Sequence, residues 1–368
     1  MSQEGLRRLK VLVIDDSARS REAVVEALRA LPAIEVVGIA VDGEEGLARC
    51  LQLQPDLITV DLEMPKMDGF TFLRMVMARA PTPVLVVSSY ARKENVFRAL
   101  ELGAVDFIPK PGGADAGSAV ALQALLAEKI EIARSLRRAN LRAVAPATPE
   151  RTPRPAAARQ RPEERKQTEC PRVIAIGAST GGPPALQHIL SSLPADFPAA
   201  VVVAQHMPER FTEAFAARLD RTCEVEVREA ADGDLLLPGR VLLAPGGKQM
   251  SVSLVEGQAR AKVGPAADGS TYVPSVDELF LSVAALCADR AMGLILTGMG
   301  RDGREGIIML KKAGGTTVAE SEETAIVHGM PKEAADTGCV DRVLPLEEIT
   351  AAILAFARTG RLPASGSR

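Results

Sequence analysis

Short apolar runs alternate with helical patterns along most of the chain. The runs LKVLVIDD, EVVGIAVDG, DLITVDLEM, PVLVVSSYA and DFIPKP are followed in turn by REAVVEALRAL, EEGLARCLQL, FTFLRMVMARA, ENVFRALELGA and a helix beginning near Ser118. In the second set the apolar residues recur at the three- and four-residue spacing of one helix face. Buried runs separated by such helices predict βα units and a doubly wound parallel sheet. Functional groups in such a sheet gather beyond the carboxyl ends of its strands.

The pattern stops at AVAPATPERTPRPAAARQRPEERKQT, Ala143 to Thr168, which is dense in Pro, Ala and Arg and almost free of large apolar side chains. It cannot bury a core and is expected to be a flexible tether. Its interleaved glutamates and lack of aromatics favour a solvated linker over a nucleic-acid patch. Alternation resumes with RVIAIGAST, PPALQHILSSL, AAVVVAQHM and ERFTEAFAARL. A less regular stretch from about 224 to 263 holds VLLAPGG and the hairpin candidate MSVSLVEGQARAKV. The βα order then returns in SVDELFLSVAALCAD, AMGLILTGMG, DGREGIIMLKKAG and TTVAES, with a last helix near Leu346 to Arg358. The expected organisation is a domain over 1–142, a linker over 143–170, and a second doubly wound α/β domain over 171–368 with a β-hairpin insertion.

Composition narrows the classes. A chain of 368 residues suits two domains, and 47% hydrophobic with 25% charged residues is globular. No uncharged apolar run approaches the roughly 18 residues of a membrane span. Asp15 and Asp16 interrupt the start where a signal peptide would be apolar, so a cytoplasmic protein is expected. A net charge of −3, with Trp 0, Tyr 2 and Phe 9, weighs against nucleic-acid binding. Cys50, Cys170, Cys223, Cys287 and Cys339 form no C-x-x-C and read as buried residues in a reducing compartment.

At the strand ends of the first half stand Asp15 and Asp16, Asp61 in VDLEMP, Ser88 in VVSSYA and Lys110 before Pro111. Parallel pairing brings these ends together, and close carboxylates repel unless a hard cation sits among them. The set therefore predicts a place where Mg²⁺ and a phosphoryl group meet. The bland alternative is helix capping by Asp16 or Ser17. The residues resemble the receiver domain of two-component response regulators, a flavodoxin-like five-stranded fold. The resemblance implies that Asp61 accepts a phosphoryl group from a histidine kinase, with Mg²⁺ held by Asp16, Asp61 and the carbonyl of Glu63 and supported by Asp15. It also implies that Lys110 pairs with the phosphoryl oxygens, that Ser88 bonds one of them, and that Phe107 is the switch aromatic.

In the second half, Gly177-Ala178-Ser179-Thr180-Gly181 lies between a strand and a helix, where a serine hydroxyl is exposed near helix N–H groups. A nucleophilic serine needs a base. His206, at the carboxyl end of AAVVVAQ, is favoured over His188, inside a helix, while His328 in VHGMPKE stays undecided. Asp302 could cap the helix it begins, but beside Ser179 and His206 it reads as the carboxylate that orients the imidazole. The motifs IGASTGGP, QHMP, LLAPGG, PSVDELF, TGMGRDG and HGMPKEA, in this order behind a receiver, resemble the chemotaxis protein-glutamate methylesterase (CheB) family.

That resemblance implies hydrolysis of glutamate methyl esters on the cytoplasmic helices of methylated chemoreceptors, with deamidation of receptor glutamines. It implies Ser179 as nucleophile with Thr180 as its neighbour, His206 as base, Asp302 as orienting acid and the N–H of Met299 as an oxyanion donor. No cofactor is expected for hydrolysis, and the expected state is a monomer that neither enters a membrane nor binds nucleic acid. The chain departs from the pattern at Gln249, where many relatives have histidine, at Thr271-Tyr272-Val273, where they are basic, and at His328, where an aromatic is usual. A non-catalytic receptor-docking protein and a DNA-binding regulator are the alternatives, and an intact triad and the lack of a helix-turn-helix weigh against them.

Overall fold

The computed structural model describes residues 8–88, 93–110, 116–135 and 172–363. The chain divides into two compact units, Met1–Pro149 and Glu150–Arg368. The expected linker over 143–170, and Cys170 with it, lies outside the described residues. Cys50, Cys223 and Cys287 are buried and Cys339 is half-buried.

The first unit runs β1 (Leu9–Ile14), α1 (Ala18–Arg29), β2 (Ile34–Ala40), α2 (Gly43–Leu53), β3 (Leu57–Val60), α3 (Gly69–Arg79), β4 (Val84–Ser88), α4 (Lys93–Glu101), β5 (Asp106–Pro109) and α5 (Ala116–Ser135). The strands form one sheet in the order β2-β1-β3-β4-β5, all pairs parallel. Every residue of β3 and β4 is buried, as expected of strands covered on both faces. The sheet order reverses direction at β1, and β1 and β3 pair directly, so the ends carrying Asp15 and Asp61 are adjacent. Of the two capping candidates it is Ser17 that caps α1, accepting the N–H of Ser20.

The second unit begins with β6 (Val173–Ala178), α6 (Gly182–Leu190), β7 (Ala200–Gln205), α7 (Thr212–Thr222), β8 (Glu226–Glu229) and β9 (Arg240–Leu243). A hairpin follows, β10 (Gln249–Val255) with β11 (Gln258–Gly264), then α8 (Val276–Cys287), β12 (Ala291–Ile295), α9 (Arg304–Lys312), β13 (Thr316–Glu320), α10 (Met330–Ala335), β14 (Arg342–Leu344) and α11 (Leu346–Thr359). Seven strands make one sheet in the order β14-β13-β12-β6-β7-β9-β8, and β10-β11 stand apart as a two-stranded sheet. The irregular stretch thus supplies two further strands of the main sheet. β8 reads EVRE and buries only its valine, the pattern of a polar edge strand that gives no apolar run to detect.

The hairpin pairs Met250 with Val263 and is tied to α8 by the N–H of Val252, which donates to Ser282 Oγ at 2.9 Å. Val276, Leu279, Phe280 and Val283 of α8 are fully buried in the main core. At about 1.5–3 kcal/mol per large apolar side chain, that face anchors the helix whose first turn reaches the strand ends.

Candidate active site

The Ser179 turn leaves β6, the strand flanked by β7 on one side and β12 on the other. Gly181 has φ +79°, a conformation that disfavours any side chain. Gly177 serves a different end: a Cβ there would stand 2.3 Å from Val276 Cγ1, so its glycine admits the close approach of α8.

Ala178 pairs with Gln205 across β6 and β7, which makes Ser179 and His206 the next residues on neighbouring strands. The N–H of His206 donates to the carbonyl of Ala178 at 2.9 Å. Gln205 is fully buried, and its Nε2 donates to the carbonyls of Ser179 at 2.8 Å and His206 at 3.0 Å. One amide therefore ties both strand ends together. On the other flank the N–H of Ser179 donates to the carbonyl of Thr297 at 3.0 Å.

Thr297 holds the turn that carries Met299. Its Oγ1 donates to the carbonyl of Thr180 at 2.9 Å and accepts the N–H of Val327 at 2.9 Å. The carbonyl of the next residue, Gly298, accepts the N–H groups of Gly329 and Met330 at 3.1 and 2.8 Å. Thr180 is buried, whereas Met299 is 38% exposed, so the turn beside Ser179 opens outward.

His206 Nε2 stands 2.8 Å from Asp302 Oδ2, which leaves Nδ1 as the other ring nitrogen. Asp302 also accepts the N–H of Val276 at 2.7 Å, the N–H of Asp277 at 2.9 Å and the hydroxyl of Ser275 at 3.1 Å. It thus sits on the N-terminal end of α8, where N–H groups and the helix dipole favour an anion. Its own helix α9 is capped by Gly303. Burial pushes the Asp302 carboxyl up, but the bonds from His206 and the two N–H groups outweigh it and hold the group below its ordinary value. The Tyr272 ring stacks on the His206 imidazole, with centroids 4.8 Å apart and planes within 4°.

Of the other histidines, His188 is half-buried within α6. His328 bridges to Gly298 through its backbone. Its Nε2 is buried without a hydrogen-bond partner, and burial draws its pKa down.

In the first unit the strand ends converge as expected. Oxygen atoms of Asp15, Asp16 and Asp61 all lie within 4.8 Å of one another. Lys110 Nζ stands 2.9 Å from Asp15 Oδ2 and 2.5 Å from Asp61 Oδ2. Asp61 Oδ1 accepts the N–H of Leu62 at 2.7 Å and lies 3.5 Å from the N–H of Glu63. Burial pushes the Asp61 carboxyl up despite the Lys110 ammonium beside it. For Lys110 burial acts downward, yet the bonds to Asp61 and Asp15 leave its pKa raised. Ser88 is buried at the end of β4, and its carbonyl accepts the N–H of Lys110 at 2.7 Å. Phe107 is buried on β5, paired with Val86.

The molecule is a two-unit α/β protein, with an acidic strand-end cluster holding a lysine in one unit and a Ser–His–Asp grouping at the strand ends of the other. Residues 11–120 match the response regulator receiver domain and residues 174–353 match the CheB methylesterase family. The chain is 50% identical, over 99% of its length and 100% of the relative, to protein-glutamate methylesterase/protein-glutamine glutaminase 6 of Anaeromyxobacter dehalogenans. It is 46% identical to numbered relatives of the same name from Geobacter sulfurreducens, covering 95% of this chain and 97% of the relative, and Myxococcus xanthus, covering 98% and 100%. The chain belongs to the protein-glutamate methylesterase/protein-glutamine glutaminase family.

Proposed function

We propose that this chain is a phosphorylation-activated methylesterase of chemosensory adaptation, which hydrolyses glutamate 5-methyl esters on chemoreceptors, releases methanol and deamidates receptor glutamines. The part-buried His206–Asp302 hydrogen bond one strand from the Ser179 turn carries this reading.

Ser179 is the nucleophile. Its Oγ attacks the ester carbonyl while the free nitrogen of His206 takes the hydroxyl proton, and the imidazolium formed is stabilised by Asp302. The developing oxyanion is met by the N–H of Met299 on the turn that Thr297 binds to Thr180. The proton then passes from His206 to the departing methoxide, giving methanol and an acyl-Ser179. Water, deprotonated by His206, cleaves the acyl bond and returns the serine with a free glutamate. The same steps on a glutamine release ammonia. These steps use no cofactor.

Asp61 receives the phosphoryl group from a chemotaxis histidine kinase. The carboxylates of Asp15, Asp16 and Asp61, with the carbonyl of Glu63, suit Mg²⁺, which takes few carboxylates and phosphate oxygens. Mg²⁺ held there would neutralise phosphoryl oxygens. Lys110 pairs with the same oxygens, and Ser88 and Phe107 adjust to the roughly −1.5 to −2 charges that phosphorylation adds. Among the described residues no helix is long and apolar enough to cross a membrane. The enzyme of this reading works as a monomer in the cytoplasm on receptor helices.

Methylated receptor preparations incubated with the protein are expected to release methanol, faster with acetyl phosphate. Ser179→Ala removes the release but not phosphorylation, and Asp61→Asn removes the acceleration. Methanol release by Ser179→Ala at the wild-type rate refutes the nucleophile.

A further inference from the structure

Tyr272 and Gln249, both set apart in the sequence as departures from the family pattern, are bonded to each other, and Tyr272 stacks on the His206 imidazole. The Tyr272 ring lies flat against it, centroids 4.8 Å apart. The carbonyl of Tyr272 accepts Gln249 Nε2–H at 2.9 Å. The Oε1 of the same amide accepts the N–H of Ser275 at 2.7 Å, and Ser275 Oγ donates to Asp302 at 3.1 Å. Gln249 is 7% exposed, so both ends of its amide are satisfied inside the protein, as a buried amide requires. One side chain therefore links the residue stacked on the imidazole to the residue supporting the carboxylate that holds that imidazole. The far end of Tyr272 is placed as well: a Cβ on Gly300 would stand 2.7 Å from its Oη, so the hydroxyl lies against the turn of Met299.

A hydrogen bond at one ring nitrogen fixes a direction but leaves the ring free to rock about that bond. A parallel aromatic face removes the rocking. We propose that Tyr272, anchored by Gln249, is a positioning residue for ester hydrolysis that fixes the plane of the His206 imidazole. This rests on His206 being the general base.

The test uses the full chain, activated with acetyl phosphate, on methylated receptor preparations, with the rate of Ser179 labelling by a fluorophosphonate as a receptor-independent readout. Tyr272→Leu, which removes the stack and keeps bulk, is expected to lower kcat by about 10- to 100-fold, the scale of a misplaced catalytic group. KM stays within about twofold, labelling slows in parallel and the melting temperature holds. Tyr272→Phe, which keeps the ring, restores most of the loss, and Gln249→Ala falls between. The outcomes separate the two readings. If His206→Ala still hydrolyses esters, the base assignment fails. If His206→Ala is dead while Tyr272→Leu labels and turns over normally, or changes only KM, the positioning role is overturned. Should Tyr272→Leu melt early, the Phe and Gln249 variants decide: a Tyr272→Phe as slow as Gln249→Ala overturns the role of the ring.

Discussion

Glu320 Oε2 accepts the backbone N–H of Thr297 at 2.8 Å. The bond holds the residue whose carbonyl receives the N–H of Ser179, so a buried carboxyl at the end of β13 supports the serine turn from behind. Its other oxygen accepts the Thr324 hydroxyl at 2.9 Å.

Burial raises the pKa of Glu320 to about 7, against the N–H of Thr297 and the Thr324 hydroxyl, which lower it. Between the ordinary value of 4.5 and about 7 the unfolded chain has lost this proton while the folded chain keeps it. Stability from this group therefore falls as pH rises through that window, by roughly 3 kcal/mol in all. Glu320→Gln keeps an acceptor for Thr297 and cannot ionise. Urea unfolding should find the variant's advantage over wild type small at pH 5 and larger at pH 8. An advantage that does not grow with pH refutes the assignment.

Asp302 accepts four hydrogen bonds, from His206, Ser275, Val276 and Asp277. Asp302→Asn turns an amide N–H₂ toward some of these donors and lets the imidazole take the wrong tautomer. Methanol release is expected to fall by about 10³–10⁴-fold. The melting temperature should fall as well, because a buried donor left unmatched costs about 1–3 kcal/mol. Parallel rate and melting measurements check both.

The strand ends were legible because apolar runs marked the strands and parallel pairing gathered what followed them. Ser179, His206, Asp15 and Asp61 each follow a run such as VIAIGA or AVVVAQ, and the sheets bring those ends together. The supports were not legible in the same way. Gln205 closes a wholly buried strand, where a polar residue must find hydrogen bonds, but the sequence does not name its partners. Ser275 stands three residues before Glu278, a readable N-cap pattern, but its second bond, to Asp302, joins distant segments. Tyr272, Gln249 and Glu320 act through contacts across the sheet or from the hairpin, and no periodicity encodes them.

Lys110 neutralises Asp15 and Asp61 while standing at the same carboxylates that would bind a cation. Removing its charge leaves those oxygens free and the local field more negative. Lys110→Met is expected to bind Mg²⁺ several-fold more tightly by calorimetry. Asp16→Asn, which removes one oxygen donor of the cluster, should bind it at least about tenfold more weakly. Weaker binding by the Lys110 variant would show that the lysine helps hold the cation site.

Gly298 lies where the Met299 turn presses on the Ser179 turn. A Cβ there would stand 2.4 Å from Met330 Sδ and 2.8 Å from Ser179 Cβ. The methionine can swing away, but Ser179 is held by Gln205 and Thr297 through its carbonyl and its N–H. Gly298→Ala must therefore move the serine turn relative to the Met299 N–H, the spacing on which the proposed oxyanion stabilisation depends. Loss of one such donor costs about 10²–10³ in turnover. The variant is expected to lose kcat on that scale, with acetyl phosphate still phosphorylating Asp61. Methanol release set against phosphoryl incorporation on one preparation separates this outcome from misfolding, and wild-type turnover would place the oxyanion donor elsewhere.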